Sequence, residues 1–295
     1  MCLHREKLEQ CIKSLGGTVR TSSTVNSIKI EDGKAKGIVL ETGEEITAKK
    51  AVISSLSVKQ LFLQMVDEKW LPKDFRHKVR RLKHARWGGF LSVYALNNAP
   101  KWKADEGNRA IMLYINPTNS LEEYLKIEDD FKAGITHTGG PIVLCQTCLD
   151  PTRAPEGKHT LYLYHLEPYH LQGGAARWDE IKEEVADGLL QAVRNLTTNM
   201  GDENILGRFV ESPLDLERHN PAWEEGDFLG IGNSLEQSAF RPLPGWGNYR
   251  TPVERLYMCG PCTPPGGGVN GGSGRAVAQV VMENLGIDFT KVASR

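Results

Sequence analysis

Two chemically suggestive patterns overlap near the carboxyl end of the chain, in the run CGPCTPPGGGVNGGSGRAVA over Cys259–Ala278. The first, Cys259-Gly-Pro-Cys262, has the spacing of a redox dithiol. The second is a glycine-rich turn before a predicted helix, which lacks the Cβ atoms that would keep a ligand away from the backbone. Because the first amides of a helix are unpaired and carry the positive end of its dipole, the expected ligand is an anion or an electron-rich ring edge.

The glycines Gly266, Gly268 and Gly271 formally match G-x-G-x-x-G, the pattern of dinucleotide-binding turns. A primary dinucleotide site also needs a second strand after the helix, ending in an acidic residue about 20 residues past the turn. The residues after the predicted helix, Asp288–Arg295, do not read as such a strand. We therefore expect a ligand-facing turn of another kind. A turn that serves only close helix–sheet packing stays an alternative.

Thiol chemistry is the second interpretation of the same run. A dithiol catalyst places its first cysteine at a helix N-terminus, where the dipole lowers the thiol pKa. Here Thr263-Pro-Pro and three glycines follow the pair, so Cys259 is predicted at a strand end instead. Cys145 and Cys148 form a second C-x-x-C pair, which raises the alternative of a four-thiolate zinc site. The pairs lie much farther apart in sequence than those of zinc ribbons, so we expect no metal and reduced, mostly buried thiols.

Composition narrows the function class. The 295 residues are 40% hydrophobic and 25% charged, enough for one large or two modest domains. A formal net charge of -1 argues against nucleic acid as the main partner, because a phosphate backbone demands clustered Lys and Arg. We find neither an apolar stretch of about 20 residues nor a secretory signal in MCLHREKLEQ, so we expect a cytoplasmic protein.

Hydrophobic periodicity predicts an α/β fold with an α+β insertion. Alternating residues over Val25–Ala48 predict an antiparallel meander, and the apolar run Ala51–Ser54 predicts a buried strand of a parallel sheet. Leu256–Met258 predicts another strand, followed by a helix over Gly272–Leu285. The middle region contains predicted strands and one long amphipathic helix: Gly89–Leu96, Ile111–Ile115, Ile142–Cys148, Thr160–His165 and Trp178–Leu196. We expect the two ends of the chain to form one layer, with the middle region inserted.

Two long segments carry a family resemblance. The run YRTPVERLYMCGPCTPPGGGVNGGSGRAVAQVV over Tyr249–Val281 resembles the C-terminal flavin motif of bacterial-type phytoene desaturases and related FAD-dependent oxidoreductases, approximately T-x-P-G-G-G-V-x-G. Segments Ser212–Arg218, Ser234–Gln237 and Arg241–Trp246 resemble the family's sequence before that motif. The run Thr24–Ser55 is similar to its meander and returning strand. The resemblance is strongest to the branch of pyridine nucleotide-disulfide oxidoreductase domain-containing proteins.

The resemblance implies FAD as the cofactor and assigns roles to residues. Five residues would present backbone to the isoalloxazine ring: Gly267, Gly268, Val269, Asn270 and Gly271. Gly260 would lie near the ribityl chain, and Val25 would touch the adenine through its main chain. Four residues before the motif are candidates for the substrate face of the flavin: Arg241, Trp246, Tyr249 and Arg250. The catalytic group stays unknown, because the resemblance identifies no general base.

The resemblance also implies the domain organisation and partners. Residues 1–65 and 215–295 would form a discontinuous, partial FAD-binding, Rossmann-like domain, and 66–214 an inserted mixed-sheet substrate domain. Family members begin with a βαβ unit carrying the glycine fingerprint, which this sequence lacks. We expect a complementary chain or a further segment to share the FAD, or the chain to form a homo-oligomer. We also expect an apolar small-molecule substrate, and peripheral contact with a membrane is compatible with such a substrate. The implied activity is hydride transfer from an apolar or alicyclic substrate to flavin. A non-catalytic interaction subunit with this fold is the alternative, and a thiol or zinc protein a less favoured one.

Overall fold

The computed structural model describes residues 2–293, which adopt a mixed α/β fold. Its helices are α1 (Cys2–Ser14), α2 (Val58–Gln60), α3 (Lys73–Arg81), α4 (Leu121–Lys132), α5 (Trp178–Leu196), α6 (Pro213–His219), α7 (Leu235–Ala239), α8 (Gly272–Asn284) and α9 (Phe289–Ala293). Its strands are β1 (Val25–Glu31), β2 (Lys34–Leu40), β3 (Glu45–Thr47), β4 (Val52–Ser54), β5 (Trp87–Leu96), β6 (Met112–Tyr114), β7 (Ile142–Leu144), β8 (His159–Pro168), β9 (Ile205–Glu211) and β10 (Leu256–Met258). Among the described residues, no helix is both long and apolar enough to cross a bilayer.

The two ends of the chain meet, as predicted, in a short parallel sheet. Strand β10 pairs in parallel with β4, so that Met258 lies opposite Ser54. The predicted meander β1-β2-β3 is antiparallel and joins this pair through Ala35, whose amide donates to the carbonyl of Glu254 at 2.8 Å. Because β4 and β10 are parallel, their carboxyl ends lie at one edge, which is where parallel sheets bind ligands.

The middle region forms a five-stranded sheet with the order β6-β7-β8-β5-β9. The expectation of a mixed sheet here was wrong, because every ladder between neighbouring strands is antiparallel. The long helix α5 explains the arrangement. It carries the chain back along the sheet between β8 and β9, so these two strands run in the same direction on either side of β5, which runs opposite to both.

Helix α5 buries its predicted apolar face on this sheet. Trp178 and Leu189 are fully buried in a first hydrophobic cluster with Phe90 of β5. The opposite face is exposed, as predicted, and its Glu183 and Asp187 form ion pairs with Arg208 of β9. The acidic residues of α5 are therefore a solvated face and no catalytic cluster.

A second hydrophobic cluster joins the meander, α2, α3 and β10. Helix α2 continues in a wider π-helical turn over Leu61–Met65, which places Phe62 edge-on against Phe75 of α3, with ring centroids 4.8 Å apart. Phe75 falls within the predicted 66–214 unit but packs with the terminal segments. The domain boundaries at 65 and 215 stay a prediction.

Truncating Leu189 to alanine is expected to lower the free energy of unfolding by about 2–5 kcal/mol, because the residue is fully buried and the substitution leaves a cavity. The matched control is Leu206→Ala on β9, whose side chain is 56% exposed and whose loss is expected to change stability by less than about 0.5 kcal/mol. Urea unfolding with an unchanged m value measures both. Equal losses for the two variants would contradict the core described above.

Candidate functional site

The predicted glycine turn joins β10 to α8 and consists of a buried base and an exposed tip. Cys262 and Thr263 in the base are fully buried, whereas the tip residues Gly267–Gly271 are exposed. Val269 in the tip has a φ of +45° and a fully exposed side chain. A β-branched residue with positive φ is a strained outlier, and such strain is concentrated at ligand-contacting segments. The tip therefore has the character of a binding loop.

Hydrogen bonds hold the base of the turn against the end of β4. Gly260 has a φ of +90°, and a Cβ atom there would lie 3.0 Å from the carbonyl oxygen of Ser55, so only glycine allows this approach without displacement. The amide of Gly260 donates to Ser273 Oγ at 3.1 Å, and Thr263 Oγ1 donates to the carbonyl of Gly260 at 2.9 Å. The base is thereby fixed to both the sheet and helix α8.

The first turn of α8 offers hydrogen-bond donors beside the tip. Asn270 Oδ1 accepts from the amide of Gly272 at 2.7 Å and so caps the helix from within the turn. The next two amides, of Ser273 and Gly274, lie in the first turn of α8, where a helix offers no carbonyl of its own to the amides and where its dipole is positive. An electron-rich ring edge or an anion placed at the tip would bind these amides.

The CGPC pair lacks the surroundings of a thiol catalyst. Burial raises the pKa of Cys262 to about 12 and also raises the pKa of Cys259, opposite to the lowered pKa that a thiol nucleophile needs. The hypothesis of a four-thiolate zinc site was wrong, because Cys145 lies in the first hydrophobic cluster and Cys262 in the second. Partial desolvation and the neighbouring Cys145 thiol raise the pKa of Cys148 to about 11.

Two of the predicted substrate residues hold the turn itself. Arg241 is buried, and its Nη1 donates to the carbonyls of Pro261 at 2.8 Å and Leu229 at 3.2 Å. Tyr249 Oη donates to the carbonyl of Pro264 at 2.9 Å. Both side chains therefore support the base of the turn from behind. Their contact with a substrate stays a prediction, and the partners that the structure gives them are main-chain carbonyls.

The other two predicted substrate residues also contact protein groups. Trp246 packs edge-on against Phe75, with ring centroids 5.0 Å apart, at the margin of the second hydrophobic cluster. Arg250 Nη2 donates to Asn284 Oδ1 at 2.9 Å, near the carboxyl end of α8. Arg250 thus lies at the end of the helix opposite the tip, while its substrate role stays a prediction.

Val25, the predicted adenine contact, begins β1 opposite Leu40 of β2. Lys34 and Glu254 form a parallel β-bridge, so β2 and β10, which follow these residues, run in the same direction. Val25 therefore lies toward the edge where β4 and β10 end. Its contact with adenine stays a prediction.

A basic cleft, which sequence reasoning missed, shares one wall with a smaller hollow at the turn. It has a volume of about 1150 Å³, and its charged lining contains six Lys and Arg side chains against two Glu: Lys78, Arg80, Arg81, Lys83, Arg86, Lys132, Glu128 and Glu236. Segment Ser234–Pro244 forms one wall of this cleft and also of a smaller hollow of about 430 Å³ that includes Pro264–Gly267. This local excess of positive charge does not show in the net charge of the whole chain, which is near zero. Most of the basic residues come from one stretch of the sequence, Arg76–Arg86.

Curated relatives support the resemblance. Pyridine nucleotide-disulfide oxidoreductase domain-containing protein 2 of Rattus norvegicus is 31% identical over 283 residues, which cover 92% of this chain and 48% of that protein. A subunit of limonene dehydrogenase from Castellaniella defragrans is 24% identical over 93% of this chain and 52% of its own length. The chain thus spans about half the length of the curated relatives that it matches.

The fold and the family agree. The structure is similar to that of an oxidoreductase from Methanosarcina mazei, with a TM-score of 0.52 and 19% identity over 94% of this chain and 52% of that one. The family model described as flavin containing amine oxidoreductase matches residues 5–282. That match spans the meander, the five-stranded sheet and the glycine turn, so this chain belongs to the flavin containing amine oxidoreductase family.

Proposed function

We propose that this chain forms the part of an FAD-dependent oxidoreductase or desaturase that faces the flavin ring, and that the enzyme takes a hydride from an apolar or alicyclic substrate. The exposed tip Gly267–Gly271 at the N-terminus of α8 carries this proposal. Its glycines let a planar ring approach the backbone, and the amides of Ser273 and Gly274 lie at the positive end of the helix.

The residues present fit a flavin edge. FAD, when bound, supplies the hydride acceptor. Hydrogen-bond donors that are already in position would stabilise negative charge on the ring, because they need no reorganisation during the reaction. The base of the turn keeps these donors in place, because the amide of Gly260 donates a hydrogen bond to Ser273 and Arg241 donates one to the carbonyl of Pro261. The smaller hollow beside Pro264–Gly267 leaves space next to the tip.

The Rossmann-like character of the β4–β10 layer, and its completion by another segment, are part of the same proposal. Parallel sheets are normally covered on both faces, yet Ile53 in the centre of β4 is 47% exposed. A complementary chain or segment with the G-x-G-x-x-G unit would cover it and bind the pyrophosphate. The match to about half of each relative supports this sharing, and the Castellaniella relative is itself named as one subunit of an enzyme.

The five-stranded sheet is proposed as the substrate domain, bordering the basic cleft at Arg86 and Trp87. Five further expectations stay predictions: an apolar substrate, a homo-oligomer, peripheral membrane contact, the absence of a nucleic-acid partner and a cytoplasmic location. The alternative of a non-catalytic interaction subunit predicts the same fold without flavin, so flavin content separates it from the leading proposal.

Replacing Gly274 by aspartate is expected to weaken FAD binding about tenfold without unfolding the protein. The position is exposed with open space around it, and a carboxylate in the first turn stabilises a helix while repelling an electron-rich ring edge. The chain is co-produced with a segment carrying the G-x-G-x-x-G unit, and the flavin absorbance spectrum and fluorescence quenching of the purified complex are measured. The unaltered complex should be yellow.

Gly207→Asp is the matched control, because Gly207 is also exposed with open space but lies on β9. Its FAD affinity should equal that of the unaltered complex. A stable but colourless unaltered complex would refute the flavin proposal and favour the interaction subunit. Equal FAD affinity in the two aspartate variants would refute the assignment of the α8 N-terminus to the ring.

Replacing Arg241 by methionine is expected to lower the free energy of unfolding by about 2–5 kcal/mol, because two partly buried carbonyls lose their charged donor. Arg250→Met removes the same charge and one exposed hydrogen bond, so its effect should stay below about 1 kcal/mol. Thermal and urea unfolding measure both variants. If Arg241→Met unfolded like the unaltered chain, its role in holding the turn would be wrong.

A further inference from the structure

A second cluster of chemically active groups lies in the five-stranded sheet, away from the glycine turn. Cys145 follows β7, Cys148 ends a single 3₁₀ turn over Gln146–Cys148, and His159 begins β8. Their ligand atoms all lie within 4.8 Å of one another, and the two Sγ atoms are 3.3 Å apart. The sequence analysis considered this C-x-x-C pair only as half of a four-thiolate site with the distant second pair. It could not include His159, because only the pairing of β7 with β8 brings that residue to the cysteines.

Thr147 holds two of these groups, Cys145 and His159, in place. Its buried hydroxyl lies 3.5 Å from Cys145 Sγ and 3.0 Å from His159 Nδ1, and it accepts from the amide of Thr160 at 3.3 Å. Cys145 is itself buried, and its amide donates to the carbonyl of Ile111 at 3.1 Å. Two of the three groups are thus tied to the sheet by polar contacts.

We propose that Cys145, Cys148 and His159 bind a thiophilic divalent metal ion of the Zn²⁺ class. Two thiolates and an imidazole are a donor set that zinc takes, whereas Mg²⁺ and Ca²⁺ prefer oxygen. The nearby carboxylate of Asp150 is engaged by Thr152 and Arg153. Among the described residues the cluster contains three ligand groups, so water or another exogenous donor takes the fourth position.

The ion stabilises the structure at this site. It links the end of β7 to the start of β8 and so closes the loop between Cys145 and His159, while Cys148 anchors the loop's first turn. Because an ion that binds the folded chain raises its stability by mass action, Zn²⁺ raises the thermal midpoint of unfolding. The site is independent of the flavin, since Cys145 packs in the first hydrophobic cluster and the glycine turn in the second.

The test titrates the full chain with Co²⁺ under reducing conditions and follows the sulfur-to-cobalt charge-transfer band. One equivalent is expected to bind and to be displaced by Zn²⁺. The variants Cys148→Ser and His159→Gln should each weaken binding at least about 100-fold, because each removes a ligand. The controls Cys11→Ser and His170→Gln remove an exposed cysteine and an exposed histidine outside the cluster and should leave the band unchanged.

Far-ultraviolet circular dichroism checks that each variant is folded. A second measurement needs no variant: alkylation of Cys148 in the unaltered chain, mapped by mass spectrometry, should slow when Zn²⁺ is added. The proposal fails if the unaltered chain gives no charge-transfer band, if the band survives in both ligand variants, or if Zn²⁺ leaves alkylation of Cys148 unchanged. Formation of a Cys145–Cys148 disulfide on oxidation, with no metal bound by the reduced chain, would also overturn it.

Discussion

The parallel pairing of β4 with β10 is the contact on which the candidate site depends. It joins residues about 200 positions apart in the sequence, and the amide of Cys259 extends it by donating to the carbonyl of Ser54 at 2.8 Å. The pairing sets where β10 ends and therefore where the glycine turn begins. Gly260 can then approach Ser55, and helix α8 starts at the edge of the sheet with its first amides beside the exposed tip.

The turn combines a rigid base with an open tip, and the two depend on each other. Arg241 and Tyr249 bind carbonyls of the base, so that the tip glycines can stay exposed without the whole loop losing its position. Preorganised donors are effective only when their support is fixed. Arg241 and Tyr249, two of the predicted substrate residues, therefore support the turn, and Arg241 does so from a buried position.

The two C-x-x-C pairs show how surroundings decide what a thiol can do. Cys259 and Cys262 follow a strand and precede prolines, so neither cysteine begins a helix, and burial raises the pKa of both. Cys145 and Cys148 share the same spacing, but β-sheet pairing places His159 beside them. The spacing is identical, and the strands around each pair determine whether additional ligands are present.

The sequence by itself determined the elements with strong periodicity and special residues: the meander from Val25, the strand at Ala51–Ser54, helix α5 and the glycine turn with its family motif. These depend on local patterns, namely alternation, helical spacing and glycine. The tertiary structure alone decided the antiparallel order of the central sheet, the support of the turn by Arg241 and the meeting of His159 with the Cys145 pair. Each of these features depends on which distant segments pack together. That packing is determined by the burial of apolar side chains over the whole chain, so a local sequence pattern does not predict it.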